Sequence, residues 1–212
     1  MRRSAASIFG CASVLLSYPD EANTADLPRV HQTLQRLPGS MARSRLELVC
    51  QWLAQMAPME AAARYVETFD LSRGVSLELT YYRHGDTRER GMALAALAGA
   101  YRAAGFGLSP TQLPDFLPAL LEFAAVDTAG AALLGEHRMA LDALHGALEH
   151  IGSTYAETVA ALRDVLPSPT RSDRAALARY RDQGPPSEHV GLEPFAPPEV
   201  IASGLSSGAA RQ

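Results

Sequence analysis

The sequence predicts an all-α fold, a single-domain helical bundle followed by a Pro/Gly/Ser-rich tail, and three observations carry this. Leucine and alanine dominate while aromatics are only 7% of the residues, so helix-favouring side chains outnumber strand-favouring ones. Apolar residues recur every three to four positions through most segments. Seven of the fourteen prolines fall in residues 167–212, with Gly and Ser filling much of the rest. That shift divides the chain into a helical domain, 1–166, and a flexible or strap-like tail, 167–212, too poor in apolar surface to offset its ordering entropy. With 47% hydrophobic residues among 212, the domain can bury one sizeable core.

Ile8, Cys11, Ala12 and Leu15 place a first amphipathic helix, ended by Pro19. Leu27, Val30, Leu34 and Leu37 mark a second, stopped by Pro38-Gly39. In the third, Leu46, Val49, Cys50, Leu53 and Met56 share a face, with Trp52 off its centre at the edge of the core or of a groove. Pro58 opens a fourth, whose expected stripe is Met59, Ala62, Ala63, Val66 and Phe69. VSLELTYY, residues 75–82, alternates like a strand, but the chain offers no partner strand, so the stretch is expected to be helical or irregular.

Asp86 is placed to cap a helix from Thr87 to about Ala104, with Glu89 as a capping-box acid, Leu94, Leu97 and Tyr101 as its apolar line and Gly105 ending it. After a proline-broken loop, Asp115 is the expected N-cap of the next helix and Pro118 lies in its first turn. Glu122, in an otherwise apolar helix, calls for a partner, most economically an arginine. One helix carries Leu134, His137, Leu141, Leu144 and Leu148; another, after a break at Gly152-Ser153, carries Tyr155, Val159, Leu162 and Leu166. In the tail, residues 172–181 can form one short amphipathic helix and GLEPFAPPEVI (191–201) an extended strap.

The composition excludes several classes. A net charge of −4 without a basic stripe argues against nucleic-acid binding. The segment after Arg2-Arg3 is broken by Ser7, Gly10 and Ser13 and falls short of the ~18 apolar residues of a membrane span, so no membrane insertion and a cytoplasmic protein are expected. Cys11 and Cys50 read as small buried hydrophobes. His137, His145 and His150 do not line up as a ligand pair, so no metal site is expected, and no GxSxG, P-loop or dinucleotide fingerprint marks an enzyme or cofactor site.

YYRHGDTRERG (81–91) concentrates aromatic, acidic and basic residues at one junction. Two readings of it stand on the residues alone: a turn and helix start with solvated arginines, or a lock in which Arg83, Arg88 and Arg90 pair with Asp70, Asp115 or Glu122 while Tyr81 and Tyr82 wall a groove.

YVETFD (65–70), LTYYRHGDTRERG (79–91), ALAALAGAYRAAGF (93–106) and LPDFLPALLEFAA (113–125), in this order and spacing, resemble the NarJ subfamily of the TorD/DmsD-type redox-enzyme chaperones. LLSYPD (15–20) adds an N-terminal match. The resemblance implies an all-helical, cytoplasmic, non-enzymatic chaperone without a cofactor of its own. Its implied partner is the apo catalytic (alpha) subunit of nitrate reductase, bound through its N-terminal peptide, held competent for molybdenum cofactor insertion and kept from docking at the membrane. A transient complex with the cofactor-insertion machinery belongs to the same expectation. The motif positions carried over as peptide-binding are Tyr65, Phe69, Asp70, Tyr81, Tyr82, His84, Asp86, Arg90, Asp115, Leu117, Glu122 and Phe123, with Tyr65, Phe69, Tyr81, Tyr82, Leu117 and Phe123 supplying apolar contacts. The alternative is a helical protein that itself carries molybdopterin or acts as a cofactor-dependent enzyme; two thiols serve iron–sulfur ligation poorly.

Overall fold

The computed structural model describes residues 2–187, and eleven helices make up the described chain with no named strand. They are α1 (Arg2–Leu16), α2 (Glu21–Gln35), α3 (Met41–Ala54), α4 (Pro58–Phe69), α5 (Tyr81–His84), α6 (Arg88–Ala103), α7 (Leu117–Val126), α8 (Thr128–Glu136), α9 (Arg138–His150), α10 (Ala156–Val165) and α11 (Arg171–Gln183). The expected all-α class is the one observed.

α1 is the central post, packed against α7, α2, α10 and α3. Its Ile8, Cys11, Ala12 and Leu15 are buried, as their spacing predicts, and burial pushes the Cys11 thiol up to about 11, which makes it a packing group and not a nucleophile. Ser13, also buried on α1, is satisfied by donating to the Pro118 carbonyl of α7 at 2.9 Å. α7 buries nearly every side chain from Leu117 to Ala124, and α3, with Leu46, Val49, Cys50 and Leu53 buried, packs on α10, α2 and α1.

Local signals set several of the ends. Asp20 accepts from Asn23 N–H at 2.8 Å and starts α2 well ahead of Pro28, which the helix contains; Ser40 caps α3 in the same way. Pro58 opens α4 as expected, and Gly105 (φ 70°) and Gly152 (φ 67°) follow α6 and α9.

Three expectations are corrected. The buried stripe of α4 is Ala61, Tyr65 and Thr68, one position round from the predicted face, and Met59 is 85% exposed. Tyr65 sets this rotation, because its ring is drawn in against Tyr155, Phe69 and Tyr18 and its hydroxyl donates to the Leu16 carbonyl at 3.3 Å. The helix read through His137 is two helices: His137 ends α8 and precedes α9 at φ −90°, ψ 18°. Residues 75–80 are irregular, as expected, yet they do find a partner. Leu79 N–H donates to the Asp115 carbonyl at 3.0 Å and Leu117 N–H to the Leu77 carbonyl at 2.8 Å, forming a single antiparallel bridge at Glu78 and Phe116.

A charged network binds α9 to α10. Asp142 accepts from Arg138 at 3.3 Å and from Arg163 at 2.6 Å, and Arg138 also donates to the carbonyls of Arg163 and Pro167 at 3.2 and 2.8 Å. The guanidinium of Arg138 thus holds the chain where it leaves α10. The expected tail helix exists as α11, started by a capping box between Thr170 and Asp173 and laid on α9 and α5. The strap expected at 191–201 lies outside the described residues.

The crossing of α7 and α8 turns on Gly130, where a Cβ would stand 2.6 Å from both Ala124 N and Phe123 C. Gly130→Ala is expected to cost about 1–3 kcal/mol in chemical unfolding by overpacking. Gly99→Ala, in α6 with nothing within 4 Å, is expected to stabilise by about 0.5–1 kcal/mol.

Candidate functional site

The 81–91 junction is organised by one buried acid. Asp115 is 0% exposed; its Oδ2 accepts from the N–H of Thr80 at 3.1 Å and from the Thr80 hydroxyl, while Oδ1 is buried without a hydrogen-bond partner. Arg90 reaches back from the first turn of α6 to meet this acid. Its guanidinium pairs with Glu78, lies 3.2 Å from Asp86 and 3.9 Å from Asp115, and donates from Nε to Thr80 Oγ1 at 3.3 Å. Burial pulls the Arg90 pKa down, but the fields of Glu78, Asp115 and Asp86 outweigh it and hold the proton more tightly.

This is the predicted lock with a narrower membership. Arg90 and Asp115 pair as expected, whereas Arg83 goes to Asp173 of α11 at 3.8 Å. Asp70 is exposed at the C-cap of α4. Glu122 is exposed and accepts from Ser13 Oγ at 3.5 Å in place of a buried arginine, because α7 turns that position outward. Neither acid expected as a cap serves as one. Thr87 and Phe116 occupy the N-cap positions of α6 and α7 without side-chain caps, since Asp86 is drawn to Arg90 and Asp115 to Thr80. Glu89 sits 3.5 Å from His84 Nδ1, and that nitrogen makes no hydrogen bond.

The aromatic candidates fall into separate places. Tyr82 is buried beneath the junction, its hydroxyl accepting from Ser76 N–H at 2.9 Å and donating to the Ser76 carbonyl at 3.1 Å. Tyr81, half-buried, meets the Tyr82 ring edge-on at 6.2 Å. Tyr65 and Phe69 belong to a different cluster with Tyr155, which Trp52 joins edge-on at 5.2 Å. Phe123 packs on Tyr101 and Phe106 at 4.7 and 5.1 Å, and both Phe123 and Leu117 are 0% exposed. Tyr65, Tyr82, Leu117 and Phe123 therefore shape the interior, and Phe69 and Tyr81 keep partial exposure.

Beside the junction lies a cleft of about 280 Å³ between α6 and the α8–α9 corner. Leu79 and Thr80 floor it, Ala93, Ala96 and Leu97 form one wall, and Leu133, Met139 and Ala140 the other; Arg83, His84, Glu136 and His137 supply the polar groups. It exists because α6 buries only Leu97 and Tyr101 and stands away from α9. A second cleft, of about 380 Å³ and more polar, lies beside Trp52 between Met56, Arg64, Glu67 and residues 151–154. The α6 wall and the α8–α9 corner were missed by the sequence reading. The available signal was small residues, Ala93 and Ala96, one turn apart where a packed helix would place large ones.

His137 Nδ1 lies 2.9 Å from the Leu133 carbonyl, and burial lowers the pKa of the ring against the opposing pull of that carbonyl. Among the described residues, no group of three His, Cys, Asp or Glu is placed to hold a metal ion, and no helix is long and apolar enough to cross a membrane.

The all-helical architecture is the one implied by the resemblance to redox-enzyme chaperones. The family model described as nitrate reductase delta subunit matches residues 35–166, and the chain belongs to that family. The NarJ nitrate reductase molybdenum cofactor assembly chaperone described as probable in Bacillus subtilis strain 168 is 35% identical over 160 residues, 74% of this chain and 87% of that protein. The chaperone of the same name in Escherichia coli K12 is 36% identical over 116 residues, 53% of this chain and 49% of that one. The nitrate reductase-like protein NarX of Mycobacterium tuberculosis H37Rv is 42% identical over 157 residues, 73% of this chain, which spans only 24% of that longer protein. Names of assembly chaperones accord with the expectation that the chain is not an enzyme.

Asp115→Ala is expected to cost about 3 kcal/mol in chemical unfolding, because it leaves buried donors of Thr80 unpaired beside the Arg90 charge. Asp86→Ala, at a side chain 81% exposed, should change stability by less than about 0.5 kcal/mol. The lowered His137 pKa predicts a pH dependence. The unfolded chain takes up a proton that the folded chain resists, so this contribution is complete above the ordinary value of 6.5 and is lost as pH falls through it. Between about pH 7.5 and about pH 5.5 the wild-type melting temperature should therefore fall further than that of His137→Gln.

Proposed function

We propose that this chain is an assembly chaperone for nitrate reductase and that it binds the N-terminal segment of the catalytic subunit in the cleft between α6 and the α8–α9 corner. The observation that carries this is the cleft itself: apolar walls on two sides that do not close on each other, with Arg83 and His84 at the junction and Glu136 and His137 at the α8–α9 corner. A helical peptide laid in such a groove buries its apolar side chains on Leu97, Leu133 and Met139, and the differing polar groups of the junction and the corner set its direction. The net charge of −4 favours a ligand with basic residues beside its apolar ones. The names of the relatives support the process, assembly of nitrate reductase around its molybdenum cofactor.

In this reading the motif residues divide their work. Asp115, Thr80, Arg90 and Glu78 fix the floor and one end of the groove, and the buried Tyr82, Leu117 and Phe123 hold its shape. Arg83 and His84, which line the groove, meet the peptide. Binding covers an aggregation-prone, partly folded client and delays its docking until the cofactor is in place, and no bond in the client is broken.

Calorimetric titration with a peptide of the catalytic subunit's first ~15 residues is expected to give a dissociation constant near micromolar, about −8 kcal/mol. Ala93→Glu, which places a charge on the α6 wall, should weaken binding by more than about tenfold without lowering the melting temperature. Absence of binding at millimolar peptide would remove the proposal, and equal affinity for Ala93→Glu would move the site elsewhere.

A further inference from the structure

α11 lies beyond the span matched by the family model, residues 35–166, and its seat is the motif face itself. Tyr180 packs on Tyr82 at 5.4 Å between ring centroids, and Asp173 takes Arg83 at 3.8 Å. Past the helix, the chain runs so close to the junction that a Cβ on Gly85 would stand 1.7 Å from the Pro186 carbonyl oxygen.

The seat is nevertheless shallow. None of the thirteen residues of α11 is buried, and Ala176, Leu177 and Tyr180 only lean on the core. A cleft of about 400 Å³ remains between α11 with its following turn and the motif face. The Arg83–Asp173 pair is half exposed at the arginine, so it adds little. The helix is built to move as a unit: its capping box is internal, and Pro167 and Pro169 separate it from α10, with Arg138 gripping the Pro167 carbonyl at 2.8 Å as a fixed point.

Arg83 and Met139 line both this cleft and the groove between α6 and the α8–α9 corner. An occupant of the groove that engages Arg83 draws it away from Asp173. We propose that α11 and the turn to Pro186 form a lid that opens without unfolding of the bundle, uncovers Tyr82, Arg83 and Gly85, and competes with the client peptide. The competition rests on the peptide reading above; the opening does not.

Hydrogen exchange followed by mass spectrometry on the full chain, wild type and Tyr180→Ala, separates the two. The lid predicts that amides of α11 exchange at least ~100-fold faster than those of α9, and that Tyr180→Ala speeds them by about another tenfold while the main melting transition stays in place. If α11 exchanges together with α9 in both proteins, the lid is overturned. In parallel titrations with the catalytic-subunit peptide, Tyr180→Ala should bind about three- to tenfold more tightly than wild type. Equal affinity for the two proteins would overturn the competition. If neither protein binds the peptide, the client reading fails and the exchange experiment alone decides the lid.

Discussion

The pairing of two irregular segments through Asp115 is the constraint on which the rest depends. Residues 76–80 and 113–117 contribute little regular structure, and one acid with two backbone hydrogen bonds joins them. Arg90 then ties the start of α6 to the same point, which fixes where α6 leaves the junction and how far it stands from α9. The groove is a consequence of that angle. A buried, multiply hydrogen-bonded acid confers geometry more than stability, and here geometry is what the site requires.

Much of the fold is legible because apolar periodicity reports burial directly: the stripes of α1 and α10 appear as read, that of α3 holds through Leu53 while Met56 falls beyond the helix end, and Pro58 and Gly105 stand where their backbone preferences place them. The failures share a cause. Local spacing marks Asp86 and Asp115 as caps, yet each answers to a group distant in sequence or to a charge that outbids the helix end. The stripe of α4 is turned by one position from the periodic pattern because Tyr65 prefers rings outside its own helix. His137 kept the apolar rhythm across a break that periodicity does not register.

The candidate site was legible as a set of motifs and not as a surface. Family resemblance selected residues without distinguishing those that face a ligand from those that form the wall behind it, and burial makes that distinction for Tyr65, Tyr82, Leu117 and Phe123. The groove walls on α6 and the α8–α9 corner are alanine, leucine and methionine, types that carry no chemical signature in a sequence. Two separate clefts, one beside the junction and one beside Trp52, also mean that the motif residues do not converge on a single point.

Gly85 is constrained twice, by its own backbone and by a segment distant in sequence. At φ 54° and ψ −148° it lies where essentially only glycine is found, so a side chain here is strained whatever surrounds it. With Pro186 against it, any side chain must displace the tail, and substitution at position 85 is tied to the fate of a residue a hundred positions away. A replacement at position 85 therefore carries two separable costs, and moving Pro186 away would relieve the steric one while leaving the backbone one in place.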